Sequence, residues 1–126
     1  MADMTKKIIG AFGENAAAGY LQRLGYTIAA RNYYCREGEL DIVAYDNGEL
    51  VFAEVKTRKS RAFGEPCEAV TAAKQKKLIL AAQKYIMDNN IDSSVRFDVV
   101  EVLYVPRGEG YAAKEISHIK HAFYER

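Results

Sequence analysis

The chain has 126 residues, 49% of them hydrophobic and 28% charged, with a formal net charge of +1. That length suits a single domain over residues 1–126 with a continuous core, and the apolar content excludes a disordered chain. No window approaches the roughly 20 apolar residues of a membrane span, the first residues lack the long apolar run of a secretory signal, and Cys35 and Cys67 show no CxxC spacing; the expectation is a cytoplasmic protein with reduced thiols and no membrane partner.

In chain order, residues from about Lys6 to Leu24 predict a helix, with Phe12, Ala16, Tyr20 and Leu24 recurring every four residues and Gly25 ending it. Tyr26 to Tyr33 has weak strand character. Leu40 to Tyr45 and Leu50 to Val55 read as two strands joined through Asp46-Asn47-Gly48-Glu49. Asn-Gly between such runs predicts a two-residue type I′ turn, because both central positions need positive φ. That register opposes Ala44 to Val51 and Asp41 to Glu54. A loop from about Arg58 to Val70 follows. Thr71 is placed to cap a helix running to about Asn89, with Leu78, Ala82, Tyr85 and Ile86 on one face. Val95 to Val105 predicts a long strand. The tail from Lys114 to Tyr124 reads ambiguously; Ile116, Ile119 and Phe123 have the spacing of a short helix packed on the core.

The order α-β-β-β-α-β predicts an α/β fold with a central mixed sheet flanked by helices. Both hairpin strands carry apolar residues on two faces, Leu40, Ile42, Val51 and Val55 on one and Val43 and Phe52 on the other. Strands of that kind are covered on both sides.

Charge is unevenly distributed. Glu37 to Glu54 holds six acidic residues and no basic one, whereas Lys56 to Lys84 holds eight basic residues against two acidic ones. An acidic centre beside a basic flank suits a site that holds a cation and faces a polyanion; two solvated charged faces would produce the same pattern. Within the hairpin, Glu54 and Lys56 share a face, and the predicted register sets Asp41 on that face opposite Glu54. Two carboxylates so close, between buried runs, need an opposing charge or must share a proton. Oxygen-only ligation favours Mg²⁺ or Mn²⁺ over zinc. Lys56 is then placed to orient a water or offset charge on a phosphate, which suits metal-dependent phosphodiester hydrolysis. The alternative for Asp41, Glu54 and Lys56 is a structural cross-strand ion pair. Glu14, at the border of the first helix's apolar face, is a fourth candidate or a plain solvated glutamate.

These residues also carry a resemblance. Gly13-Glu14, Arg31-Asn32-Tyr33, Gly38-Glu39-Leu40-Asp41, Val51-Phe52-Ala53-Glu54-Val55-Lys56-Thr57-Arg58 and Arg96-Phe97-Asp98-Val99-Val100 resemble the YraN-like bacterial family. That family looks like a branch of the PD-(D/E)XK nucleases near archaeal Holliday junction resolvases. The resemblance implies a restriction endonuclease-like αβββαβ core. It also implies a Mg²⁺ (or Mn²⁺) site on Asp41, Glu54 and the Val55 carbonyl, with Lys56 positioning the water and Glu14 assisting. Structured or branched DNA is the implied substrate, and a resolvase making paired cuts would be a homodimer. Leu40 stands where the superfamily pattern has proline.

Arg58, Lys59 and Arg61 follow the motif directly and are expected, with Lys74, to contact phosphates or to form a solvated basic face. Tyr33 and Tyr34 suit either stacking on a base or packing. Asp98 is expected to pair with Arg96, and His118 and His121 lack a partner set for a metal. Three functions stay open: a Mg²⁺-dependent endonuclease, a nucleic-acid-binding module without turnover, and a protein-interaction domain.

Overall fold

The computed structural model describes residues 2–60 and 70–123, with side chains from residue 4 onward. The elements are α1 (Ala2–Arg23), β1 (Thr27–Cys35), β2 (Gly38–Asp46), β3 (Glu49–Arg58), α2 (Ala72–Asp88), β4 (Val95–Arg107) and β5 (Gly110–Phe123). The five strands form one sheet in the order β1-β2-β3-β4-β5. Only the β3–β4 pair is parallel, and α2 makes that crossover. The expected αβββαβ core is present, in a mixed sheet with a helix on each face. No helix among the described residues is long and apolar enough to cross a membrane.

The hairpin follows from its turn residues. Asn47 and Gly48 both take positive φ, 50° and 85°, and the ladder runs from Asp46↔Glu49 to Ile42↔Ala53 in the expected register. α1 covers one face of the sheet, packing Ala17, Ala18 and Leu21 against Ile42, Ala44, Val51, Ala53, Val100 and Val102. The buried stripe of α1 is therefore Gly13, Ala17 and Leu21, one position away from the predicted stripe, and Leu24 is 51% exposed. Small side chains explain the shift, because they let the helix axis approach the sheet. A Cβ on Gly13 would overlap the Thr57 side chain on β3.

α2 covers the other face. Thr71 caps it by accepting from the Lys74 N–H, and Leu78, Ala81, Ala82 and Tyr85 pack on Leu40, Val43, Leu50, Phe52, Phe97 and Val99. Phe52, Phe97 and Phe123 stack across three strands, with ring centroids 5.6 and 5.0 Å apart. Leu40 thus packs with Val43 under α2 rather than with Ile42 under α1, as expected from strict alternation. The cause lies opposite it. Asn32 on β1 sits between the Arg31↔Ile42 and Tyr33↔Leu40 pairs with φ 52°. Beyond Ile42, the β2–β3 ladder stops.

The tail is a strand, not a short helix. β5 pairs antiparallel with β4 over nearly its full length. Ile116 packs with the α1 cluster, while Ile119 and Phe123 pack with the α2 cluster. A separation of three in a strand sends side chains to opposite faces, and the open edge of β4 needed a hydrogen-bonding partner.

Candidate metal centre

The interrupted ladder builds the site. In the turn-defined register Val55 would exchange backbone hydrogen bonds with Leu40. Instead the Val55 N–H donates to Asp41 Oδ2 at 2.9 Å. Leu50 N–H donates across to Ser94 on the β4 side, so by strand alternation the N–H and C=O of Val55 both face β2. The splay between β2 and β3 therefore presents one carboxylate and a backbone carbonyl to the same opening.

Glu54 completes the pair and is 5% exposed. The Asp41 carboxyl is pushed up to about 8, first by burial and then by the Glu54 carboxyl against it. The Val55 N–H and Lys74 pull it down only in part. Lys56 Nζ lies 3.8 Å and Lys74 Nζ 3.5 Å from Glu54 Oε2. Lys74, expected as a phosphate contact or part of an exposed polar face, thus reaches the centre from the first turn of α2. Gln75 does not; its amide donates to the Val70 carbonyl at 2.9 Å and holds the entry to α2.

Glu14 lies on α1 in the same groove as Asp41. Its Oε1 is already engaged by Arg31 Nη2 at 3.0 Å and Asn32 Nδ2 at 2.8 Å. Among the described residues no group of three or more carboxylates, histidines or cysteines is gathered as a metal-holding cluster, and Glu14 is held at the groove by Arg31 and Asn32. The sequence reading passed over Glu39. Its carboxyl is raised, chiefly by burial and then by Asp41, and it lines the groove. The signal was present in Glu39-Leu40-Asp41, since alternate strand residues share a face.

The basic flank divides. Arg58 is committed to Glu101, which is fully buried, with Nη2 and Nε 2.6 and 2.7 Å from its Oε2. A carboxylate with no access to water needs such a cation, so Arg58 has a structural partner in Glu101. Lys59 is exposed at the end of β3. Arg61 and Cys67 lie outside the described residues.

On the other face of the sheet, the expected Arg96–Asp98 pair is bidentate, at 2.8 and 3.0 Å. His118 Nε2 lies 2.6 Å from the same carboxylate, the His121 N–H donates to it at 3.0 Å, and Arg96 also reaches Tyr26, Asp46 and Glu49. The histidines serve this network. Tyr33 packs edge-on against Tyr85 in the core, whereas Tyr34 is 68% exposed.

A groove of about 950 Å³ runs between α1 and the β1–β2 hairpin. Asp41, Val55 and Thr57 line its inner part, and Lys6, Lys7, Gly10 and Tyr34 also border it.

Comparison with known proteins places this architecture. The model of the Uncharacterised protein family UPF0102 matches residues 13–102, a span that contains Asp41, Glu54, Lys56 and Lys74. The chain is 42% identical over 124 residues to a UPF0102 protein of Caldanaerobacter subterraneus subsp. tengcongensis, covering 98% of this chain and 100% of that one. A UPF0102 protein of Desulforamulus reducens is 46% identical over 120 residues, covering 93% and 96%. One from Clostridium botulinum strain Loch Maree is 45% identical over 114 residues, covering 89% and 93%. With the family model spanning most of its length and relatives matching it nearly end to end, the chain belongs to the UPF0102 family, the YraN-like family its motifs resemble.

Proposed function

We propose that the protein is a divalent-cation-dependent endonuclease that hydrolyses phosphodiester bonds in DNA. The observation that carries this reading is the Asp41–Glu54 pair, a half-buried and a buried carboxyl set together beside Lys56 and Lys74 where β2 leaves β3. A pair of acids that burial forces to retain a proton gains most from a cation that replaces it. The donor set fits Mg²⁺ or Mn²⁺: all ligands are oxygen, and Mg²⁺ commonly uses one or two carboxylates and keeps several waters. Asp41, Glu54 and the Val55 carbonyl would hold it. Such an ion supplies charge for the phosphoryl oxygens and lowers the pKa of water.

The chain's own groups supply the rest. The Val55 N–H fixes one Asp41 oxygen, and the Asp41 carboxyl is hydrogen-bonded to Glu54. Glu54 anchors Lys56, which is 27% exposed and free at its outer side to orient a nucleophilic water or balance charge on the phosphate. Lys74 approaches Glu54 from α2 and adds a second positive charge beside the scissile position. Glu14 steadies the wall of the groove through Arg31 and Asn32 rather than touching the reacting atoms. Branched or structured DNA is the substrate class proposed, and paired cuts would require a homodimer.

The test is cleavage of labelled linear, single-stranded, flapped and four-way-junction DNA with Mg²⁺, Mn²⁺ or chelator. Cutting is expected with metal only, and Glu54→Ala is expected to lose about a thousandfold, the scale of removing a preorganised charge stabiliser. No cutting in any metal, with salt-sensitive binding retained in chelator, would replace this reading with a nucleic-acid-binding module.

A further inference from the structure

We infer that the groove between α1 and the β1–β2 hairpin is a binding channel for a single polynucleotide strand, entering past Lys6, Lys7 and Tyr34. The inference rests on the nuclease reading for the strand's destination, but its geometry stands apart from the cleavage chemistry. The expected phosphate contacts lie on the Arg58–Lys77 flank. This groove lies on another side of Asp41 and uses residues outside that flank.

Four observations converge. The groove, of about 950 Å³, is walled by α1 on one side and by residues of β1, β2, β3 and β4 on the other. A cleft of this scale encloses one strand; a duplex docks on a surface and reads it through its grooves. Its charges are of both signs: Lys6, Lys7 and Arg31 line it with Glu14, Glu39 and Asp41, Arg31 is tied to Glu14, and Lys6 and Lys7 are exposed near the start of α1. Lys7 and Glu14 are seven residues apart, or about 10 Å along the helix axis. A ligand carrying phosphates at the mouth is thus led toward carboxylates that accept a cation.

Tyr34 supplies the third observation. It is the aromatic residue of β1 turned to solvent, 68% exposed, while Tyr33 beside it is packed in the core. An exposed ring at the border of a basic cleft suits base stacking, which every base permits without sequence choice. The fourth is Gly10. It borders the groove, and a Cβ built there meets no atom within 4 Å. Packing therefore does not require glycine at this position, and helix propensity disfavours it; close approach of a ligand to the helix backbone accounts for it.

The test is fluorescence anisotropy in chelator, where no cleavage occurs, with labelled oligothymidylate, oligouridylate and a blunt duplex of equal length. Wild type is expected to bind a single strand at least tenfold tighter than the duplex. Tyr34→Ala should weaken single-strand binding by about 5- to 150-fold, the range spanned by one base stacked on an aromatic ring. Lys6→Ala with Lys7→Ala should reduce the slope of log affinity against log salt by about 1.4, two phosphates' worth for a single strand. Gly10→Trp should fill the channel and abolish binding without lowering the melting temperature. The oligothymidylate and oligouridylate arms separate a DNA from an RNA strand. Equal affinity for strand and duplex, or a Gly10→Trp protein that binds like wild type, overturns the channel. Wild-type cleavage that survives Gly10→Trp would sink the channel and leave the nuclease reading standing. Strand binding that obeys these variants, in a protein that never cuts, would do the reverse.

Discussion

Two charge clusters one register step apart on β3 and β4 sit on opposite faces of the sheet and behave oppositely. Asp98 is fully buried but receives Arg96, His118 and the His121 N–H. Burial alone would raise its carboxyl; the His118 and Arg96 hydrogen bonds more than offset that, and the net shift is downward. Asp41 also suffers burial first, but its next neighbour is another carboxyl, and it is pushed up to about 8. The difference lies in how the protein settles its own charge. The Asp98 cluster is closed, with each acceptor met by a donor from the chain. The Asp41–Glu54 cluster is left short of positive charge beside a groove that opens to solvent. Closure marks a structural network, and a shortfall marks a place for something from outside.

This contrast can be broken by measurement. Asp98→Ala should destabilise the fold by about 3 kcal/mol in denaturant titration, because it takes from Arg96 its bidentate partner and leaves its Nε and the His118 ring without their acceptor. A loss below about 1 kcal/mol would mean the cluster is not the lock proposed. The carboxyl pair should show the opposite response. In metal-free protein the raised Asp41 contributes stability that is complete below its unfolded value near 3.8 and is lost as pH rises toward about 8. Asp41→Asn should therefore be more stable than wild type at pH 8, by on the order of a few kcal/mol, while losing cleavage. Asp98, with its carboxyl lowered, contributes stability present above about pH 4 and lost only below it. Thermal scans between pH 3 and pH 9 of wild type and Asp41→Asn separate the two windows.

Smaller effects sharpen the comparison. Mn²⁺ at about a hundred times its dissociation constant should stabilise wild type by about 2.7 kcal/mol and leave Glu54→Gln unmoved; equal shifts in both would place the ion elsewhere. Gly13→Ala should cost about 1–3 kcal/mol, since the added methyl meets Thr57 and forces α1 off β3. Thr71→Ala should cost about 1 kcal/mol through loss of the α2 cap, without touching the Lys74–Glu54 distance enough to change metal affinity.

What the sequence by itself determined is local. Asn47-Gly48 specified the turn, and the turn set the register as far as Ile42 and Ala53. Thr71 capped α2, Gly25 ended α1 at φ 96°, and the nearness of Asp41 to Glu54 followed from counting outward from the hairpin. Each depends on backbone preferences acting over a few residues. Tertiary structure alone decided the rest. Positive φ at Asn32 and the lost Leu40–Val55 pairing turned Leu40 beneath α2 and tied Asp41 to the Val55 N–H. The position of α2 on the sheet brought Lys74 to Glu54. Arg58 was drawn to Glu101, a carboxylate 43 residues away. Ile116, Ile119 and Phe123 had helical spacing, yet the unpaired edge of β4 made their segment a strand. These outcomes rest on desolvation and on hydrogen bonds between segments far apart in the chain, for which neighbouring residues carry no signal.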